Sequence, residues 1–381
     1  MSTPAGRLRF GVEEEYLLAD PETRTTVPRA AAVVECAAQT LGARAQFEFL
    51  ATQVEACTPP VETAGDLRAE LVAMRRATLG AASGVGCLLV ASGTAVLPSR
   101  HPLPVTGSLR YRRMAEDAGP VADRAGELCG CHVHLGDLDR GEALALAGHL
   151  RPWLPVLQAV CVNSPFCEGR SNGVASSRWS RHLAWPTCGP APLLDERGYE
   201  RTVCRLLADR VIRDRRMIYW YTRPSEHLPT LEIRVADTNA DLDVPVLLAV
   251  LLRGLAEVLL AEHRTGAVPP PLSAGAVREA HRRAAEVGLN GDGLDPVTGR
   301  RVPARLRLEA LLDRAAPGLE LHDDLLLARS LVDKLLTRGT GAERQRVALA
   351  RHGSLPAVVD HLARLTARLT STRTVVTLPA L

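Results

Sequence analysis

Lysine is almost missing from this chain. It occurs once, at Lys334, although lysine and arginine together number 46 among 381 residues, so nearly every fixed positive charge is an arginine. That scarcity leaves chemistry built on a lysine amine, such as a Schiff base or a P-loop, almost no candidate. Aromatic residues are also rare, at 3%, and the net charge of +3 is spread along the chain instead of gathered in a basic run. Stacking platforms for single-stranded nucleic acid are therefore few, and no nucleic-acid partner is expected. The first residues, MSTPAGRLRFGVEEEY, hold no apolar stretch of signal-peptide length. The most apolar later segment, VPVLLAVLLRGLAEVLLAE from Val244, carries Arg253 and Glu257 within a membrane-span length, which marks a buried helix instead of a bilayer crossing. A cytoplasmic protein with no membrane partner is the expectation. Nine cysteines are an odd number without the spacing of a small disulfide scaffold, and they read as reduced thiols, mostly in the core.

What is present is enough apolar sequence, 46%, to fill a substantial core. From Arg7 to about Thr238, short β-like runs (RFGVEEEYLL, FEFLATQVEAC, GCLLVASG, LCGCHVHLG, PTLEIRVAD) alternate with helical stretches. This is an α+β layout with a sheet of roughly five or more strands. After Asp241 the pattern turns helical to about Ser371, interrupted by the turn-rich NGDGLDPVTGRRVP. A single catalytic domain over 1–381 is the economical division: a sheet-bearing core, 1–240, and a helical C-terminal part, 241–381.

Four of the strands carry ionisable groups in patterns that alternation can sort. In GVEEEY, Glu13 and Glu15 fall on one face about 7 Å apart at their Cα atoms, with Glu14 on the other. Read as one continuous strand, FEFLATQVEACTPP puts Gln53 and Glu55 on one face with Phe47, Phe49 and Ala51, and Glu48 on the other. A glutamate in an otherwise apolar strand is costly to bury unless paired or bound to a metal. In ELCGCHVHLGD, the histidines His132 and His134 share a face with Gly130, while Cys129, Cys131 and Val133 share the opposite one. The four potential zinc ligands then cannot converge, and no second Cys/His pair stands at zinc-site spacing. In PTLEIRVADT, Glu232 and Arg234 project together, and Arg223 precedes a proline that holds its backbone extended. Carboxylates with a histidine suit a hard cation, Mg²⁺ or Mn²⁺. Arginines beside them suit a phosphoryl group in transfer. Read alone, the residues lead to metal-dependent phosphoryl chemistry.

The order GVEEEY, QVEACTPP, GCHVHLG, NSPFCEGRSNG with SSRW, and RPSEHLPTLEIRVADT resembles the type 2 glutamate–cysteine ligase family, bacterial carboxylate–amine ligases with a glutamine-synthetase-like catalytic fold. REAHRRAAEVGLNGDG is similar to the family's helical C-terminal region. The resemblance implies a mainly antiparallel sheet lining the active site with helices packed outside. It also implies ATP-dependent formation of an amide or peptide bond between an amino acid and an amine through an acyl phosphate. By the family's pattern, Glu13, Glu15, Glu55, His132 and Glu232 hold two or three Mg²⁺ ions, His134 and Arg234 contact phosphate oxygens, and Arg223 faces the transferring group. Arg170, Asn172 and Arg178 in the loop NSPFCEGRSNGVASSRWS are the expected contacts to an amino-acid carboxylate. A homodimer or larger assembly is expected on the same ground.

The chain also departs from the family's pattern. It has GTAVLPSRHP where many relatives carry a GTHP-like turn, RSNG where an acidic residue often precedes Thr-Gly, and IYWYTRPS where an acidic residue is common before RPS. These changes lie near where substrates would sit, so either weak glutamate–cysteine ligase activity or a dedicated ligase for other amino acids or amines fits. The rival readings are a noncatalytic nucleotide- and metal-binding module, a phosphotransferase acting on a guanidino or amine group and, last, a zinc hydrolase.

Overall fold

The computed structural model describes residues 8–369. Its central sheet has seven antiparallel strands: β1 (Phe10–Ala19), β2 (Ala45–Phe47), β3 (Gln53–Cys57), β4 (Leu88–Val90), β5 (Gly130–Leu135), β8 (Thr222–Pro224) and β9 (Leu231–Asp237). Two small hairpins lie apart from it, β6 (Phe166–Cys167) with β7 (Arg170–Ser171), and β10 (Asp292–Leu294) with β11 (Arg301–Pro303). The strand order is β2-β3-β1-β5-β9-β8, with β4 against the far half of β1. This is the α+β arrangement that the alternating pattern predicts.

β1 sits at the centre, paired with β3 along one edge and with β5 and then β4 along the other. Phe10, Val12, Tyr16 and Leu18, all buried, alternate on the face toward the helices. The helix Ala64–Gly84 packs there, started by Thr63, whose hydroxyl accepts the Asp66 amide at 3.0 Å. It delivers Arg75 to Glu14, the one carboxylate of GVEEEY that alternation turns inward. The pair is fully buried and bidentate, Arg75 Nη2 to Glu14 Oε1 at 2.5 Å and Nε to Oε2 at 2.9 Å. The Tyr16 hydroxyl donates to the same carboxylate at 2.7 Å, and the carbonyls of Asn239 and Ala240 take further guanidinium hydrogens.

The apolar segment after Val244 is the helix Asp243–Arg264. It is long and apolar enough to cross a membrane by composition, but 83% of its most apolar window is buried inside the protein. Arg253 in its middle is buried over the Phe10 ring, 3.9 Å from the centroid, and is paired with Asp324. The helix Ala304–Leu321 crosses it closely at Gly254 and Gly318, where a Cβ on Gly318 would overlap the Gly254 carbonyl. One hydrophobic cluster runs from Leu8 to Leu362 and joins the sheet to these helices.

One predicted strand is corrected. FEFLATQVEAC is not continuous: β2 and β3 are separate strands paired as a hairpin, Gln46 opposite Glu55 and Phe47 opposite Val54. The turn between them contains no glycine or proline. It is held from outside, by Ala51 N to Pro104 O at 2.7 Å, Thr106 N to Phe49 O at 2.9 Å and Ala30 N to Ala51 O at 2.9 Å. Parity therefore cannot be carried from Glu55 back to Glu48.

Candidate active site

The register of five neighbouring strands, β3-β1-β5-β9-β8, places charged residues side by side on the face of the sheet opposite Arg75. Glu15 stands across from Glu55, Glu13 from His132, His134 from Glu232, and Glu232 from Arg223. Cross-strand partners lie within side-chain reach, so the residues of four distant sequence segments converge without any loop having to carry them. His134 Nε2 is 3.0 Å from Glu13 Oε1, and His132 Nδ1 is 3.3 Å from Glu13 Oε2 and 3.6 Å from Glu232 Oε1. Arg223 Nε donates to Glu232 Oε2 at 2.7 Å, and Arg234 pairs with the other oxygen of the same carboxylate. Gly130 opens room beside them: a Cβ there would overlap Arg178 Nη2 and His132 Nε2.

Two groups of three donors emerge, each with its ligand atoms within 4.8 Å of one another: Glu13, His134 and Glu232, and Glu15, Glu48 and Glu55. They differ in how their charge is met. In the first, burial would raise the Glu13 carboxyl, but hydrogen bonds from His132 and His134 hold it well below its ordinary range. Glu232, likewise opposed by burial, is pulled far down by Arg223 and Arg234. In the second, burial and then the Glu48 charge push Glu15 up to about 8. Burial and the charges of Glu13, Glu48 and Glu15 also push Glu55 well above its ordinary range, and burial raises Glu48 too. One buried and two half-buried carboxylates that repel one another, none of them in an ion pair with an arginine or lysine among the described residues, form a donor set for a hard cation. His132 fits beside them: burial and Arg234 keep its imidazole neutral, down to about 4, and Nε2 has no hydrogen-bond partner among the described residues.

These residues line a cavity of about 480 Å³. Of the residues singled out from the sequence, Glu13, Glu15, Glu55, His132, His134, Glu232, Arg234, Arg223 and Arg178 line it together. Arg170, in β7, and Asn172, just after it, are exposed and lie outside that lining, and Asn172 donates instead to Ser177 Oγ at 3.3 Å. Cys129 also differs from the alternation argument. It precedes β5 and its Sγ lies 3.1 Å from Gln53 Nε2, whereas Cys131 is buried within the strand. No cysteine enters either donor group, and all nine cysteines are free thiols.

Sequence reasoning missed Glu48, which the hairpin turn brings into the cavity, together with Arg110, Tyr219, His182 and Trp185. A break signal inside FEFLATQVEAC would have exposed Glu48, but the segment has none. The others come from helices and loops whose approach to the sheet has no period to read.

Known proteins share both sequence and fold. The chain matches the glutamate–cysteine ligase family 2 over residues 9–361. It is 42% identical over 356 residues to a protein of Saccharopolyspora erythraea provisionally named glutamate–cysteine ligase 2-1, covering 93% of this chain and 94% of that one. A provisionally named glutamate–cysteine ligase 2 of Salinispora arenicola is 40% identical over 361 residues, 94% of this chain and 95% of that one. Among solved structures, the glutamate–cysteine ligase of Francisella tularensis in complex with AMP superposes with a TM-score of 0.70 at 12% identity, over 96% of this chain and 89% of the other. A bifunctional glutathione synthetase of Pasteurella multocida gives 0.68 at 14% identity, over 95% of this chain and 52% of its own. The fold is thus that of these solved ligases, and by sequence this protein belongs to glutamate–cysteine ligase family 2.

Proposed function

We propose that this ligase is an ATP-dependent carboxylate–amine ligase, joining an amino acid to an amine through an acyl phosphate with release of ADP and phosphate. The observation that carries the reading is the uneven charge of the sheet face: one end crowds Glu15, Glu48 and Glu55 with no arginine or lysine ion pair among the described residues, and the other aligns Arg223 and Arg234 on Glu232. The AMP bound to the Francisella relative is consistent with a nucleotide site on this fold.

In this reading Glu13, Glu15, Glu48, Glu55, His132 and Glu232 hold Mg²⁺ ions. Those ions, when bound, screen the repulsion between the triphosphate and the carboxylates around it. Arg234, His134 and Arg223 face the γ-phosphoryl oxygens and take up charge as the group passes to the substrate carboxylate. The incoming amine attacks the acyl carbon and phosphate leaves. Substrate alignment and charge complementarity carry the rate, so no enzyme nucleophile is required. Burial keeps the Cys131 thiol far above its ordinary value and therefore protonated, consistent with a packing role.

The test is ADP release with MgATP against a panel of amino acids, singly and in pairs with amines, with products weighed by mass spectrometry. ADP formed only when one acid and one amine are both present, with a product one water lighter than their sum, supports the ligase. A stable phosphorylated product from a single substrate identifies a phosphotransferase. Nucleotide binding without turnover across the panel identifies a noncatalytic module.

A further inference from the structure

Arg178 is the conspicuous charge that the sheet does not account for. It is nearly fully buried, 4% exposed, it lines the cavity beside Gly130, and its Nε has no hydrogen-bond partner among the described residues. A guanidinium in that state is costly to keep unless something holds it for a ligand. It stands in the first turn of the short helix Ser177–His182, capped by Ser176, so its position depends on how the irregular segment leading into that helix is tied.

The tie is visible behind the cavity. Asp237, at the end of β9 and outside the cavity lining, is buried and accepts three hydrogen bonds: Asn163 N at 2.8 Å, Ser164 Oγ at 2.7 Å and Ser176 Oγ at 2.9 Å. One carboxylate thus clasps both ends of the segment 164–176. The two serines pass the constraint on, Ser164 Oγ accepting the Arg178 amide at 3.1 Å and Ser176 Oγ the Trp179 amide at 3.3 Å. From the other side, the helix Gly341–His352 grips the same segment, with Gln345 donating to Asn163 O and Oδ1, both at 2.8 Å, and Arg346 to Val174 O at 2.7 Å. Gly93 leaves room for the clasp, because a Cβ there would stand 2.7 Å from Asp237 Cγ.

We infer that Asp237 is a positioning residue: by clasping Ser164 and Ser176 it holds the buried Arg178 guanidinium ready for the carboxylate of the acid substrate. This rests on the ligase reading for the identity of the ligand, while the clasp itself does not. The test compares wild-type full-length protein with Asp237→Asn, the Ser164→Ala/Ser176→Ala double variant, Arg178→Met, and Asp237→Asn combined with Arg178→Met. Two readouts need no turnover: amide hydrogen exchange across 163–179 and modification of Arg178 by phenylglyoxal. Both should quicken about tenfold in Asp237→Asn and in the serine double variant, with exchange in β1 and β5 unchanged. Unchanged exchange and reactivity in both overturn the clasp, whatever the protein's activity.

The third readout is ADP release with MgATP, L-glutamate and L-cysteine. The KM for glutamate should rise about tenfold in Asp237→Asn with kcat within about threefold, and the combined variant should be no worse than Arg178→Met alone. Additive losses overturn positioning through Arg178. Silence of the wild type with this pair counts against that substrate choice, and the exchange and modification results still decide the clasp.

Discussion

The two faces of β1 bury glutamates one residue apart and treat them in opposite ways. Behind the sheet, Glu14 meets Arg75 in a closed ion pair with Tyr16 and two backbone carbonyls completing its hydrogen bonds, so no group is left for a ligand. In front, Glu13 and Glu15 join Glu48, Glu55 and Glu232 around an open cavity, where the arginine ion pairs close on Glu232 while no arginine pairs with Glu15, Glu48 or Glu55 among the described residues. Burial alone therefore does not mark a functional carboxylate. What marks it is a charge that the protein's own side chains leave unbalanced, because such a charge is stable only when a cation or proton completes it.

The contrast can be broken from either side. The largest effect is expected behind the sheet, where Arg75→Met leaves Glu14 buried without its partner. Chemical denaturation should show a loss of about 3–5 kcal/mol. Substitution in front should do the reverse, with Glu15→Gln or Glu55→Gln, whose carboxyls burial and like charge push up, lowering ADP formation at least about 100-fold while the unfolding midpoint holds or rises. A wild-type rate in either variant removes the proposed metal and phosphate site.

A smaller effect follows from pH. Glu15 is held near 8 in the folded, metal-free protein against an ordinary 4.5, so between those values the folded state binds the proton that the unfolded chain releases. Stability in a chelator should then fall as pH rises from about 5 to about 8, and Mg²⁺ should reverse the trend by displacing the proton. Thermal melts with and without Mg²⁺ across that range check the sign, and parallel curves count against cation binding at Glu15. The smallest change is expected for Cys131→Ser, which should cost about 1 kcal/mol of stability and leave activity per folded molecule unchanged.

Much of this site was legible because it is built on strands. Alternation separated Glu13 and Glu15 from Glu14, set His132 and His134 on one face and joined Glu232 to Arg234, and the strand pairing kept every one of those assignments. The long helix after Val244 was readable for the same reason, since Arg253 and Glu257 marked it as one that must find partners inside a protein. Legibility ended where the backbone loses its period. The turn between β2 and β3 is made by hydrogen bonds to residues about 20 positions before it and 50 beyond it, so Glu48 was assigned to the wrong face. Arg170 and Asn172 read as substrate contacts because they share a loop with Arg178, yet they stand exposed while Arg178 is buried.

The sequence by itself determined the family, the strand and helix types, the predominance of arginine among the cations and the face on which most carboxylates lie, since each depends on residue identity or local spacing. Only the tertiary structure decided which charges are neutralised. Arg75 reaches Glu14 across 61 residues, Asp237 reaches Ser164 and Ser176 across more than 60, and Glu48 reaches the cavity through a turn built by other segments. The physical reason is that a carboxylate's state is set by the charges and solvent within a few ångströms of it, and those neighbours are chosen by packing between elements far apart in the chain.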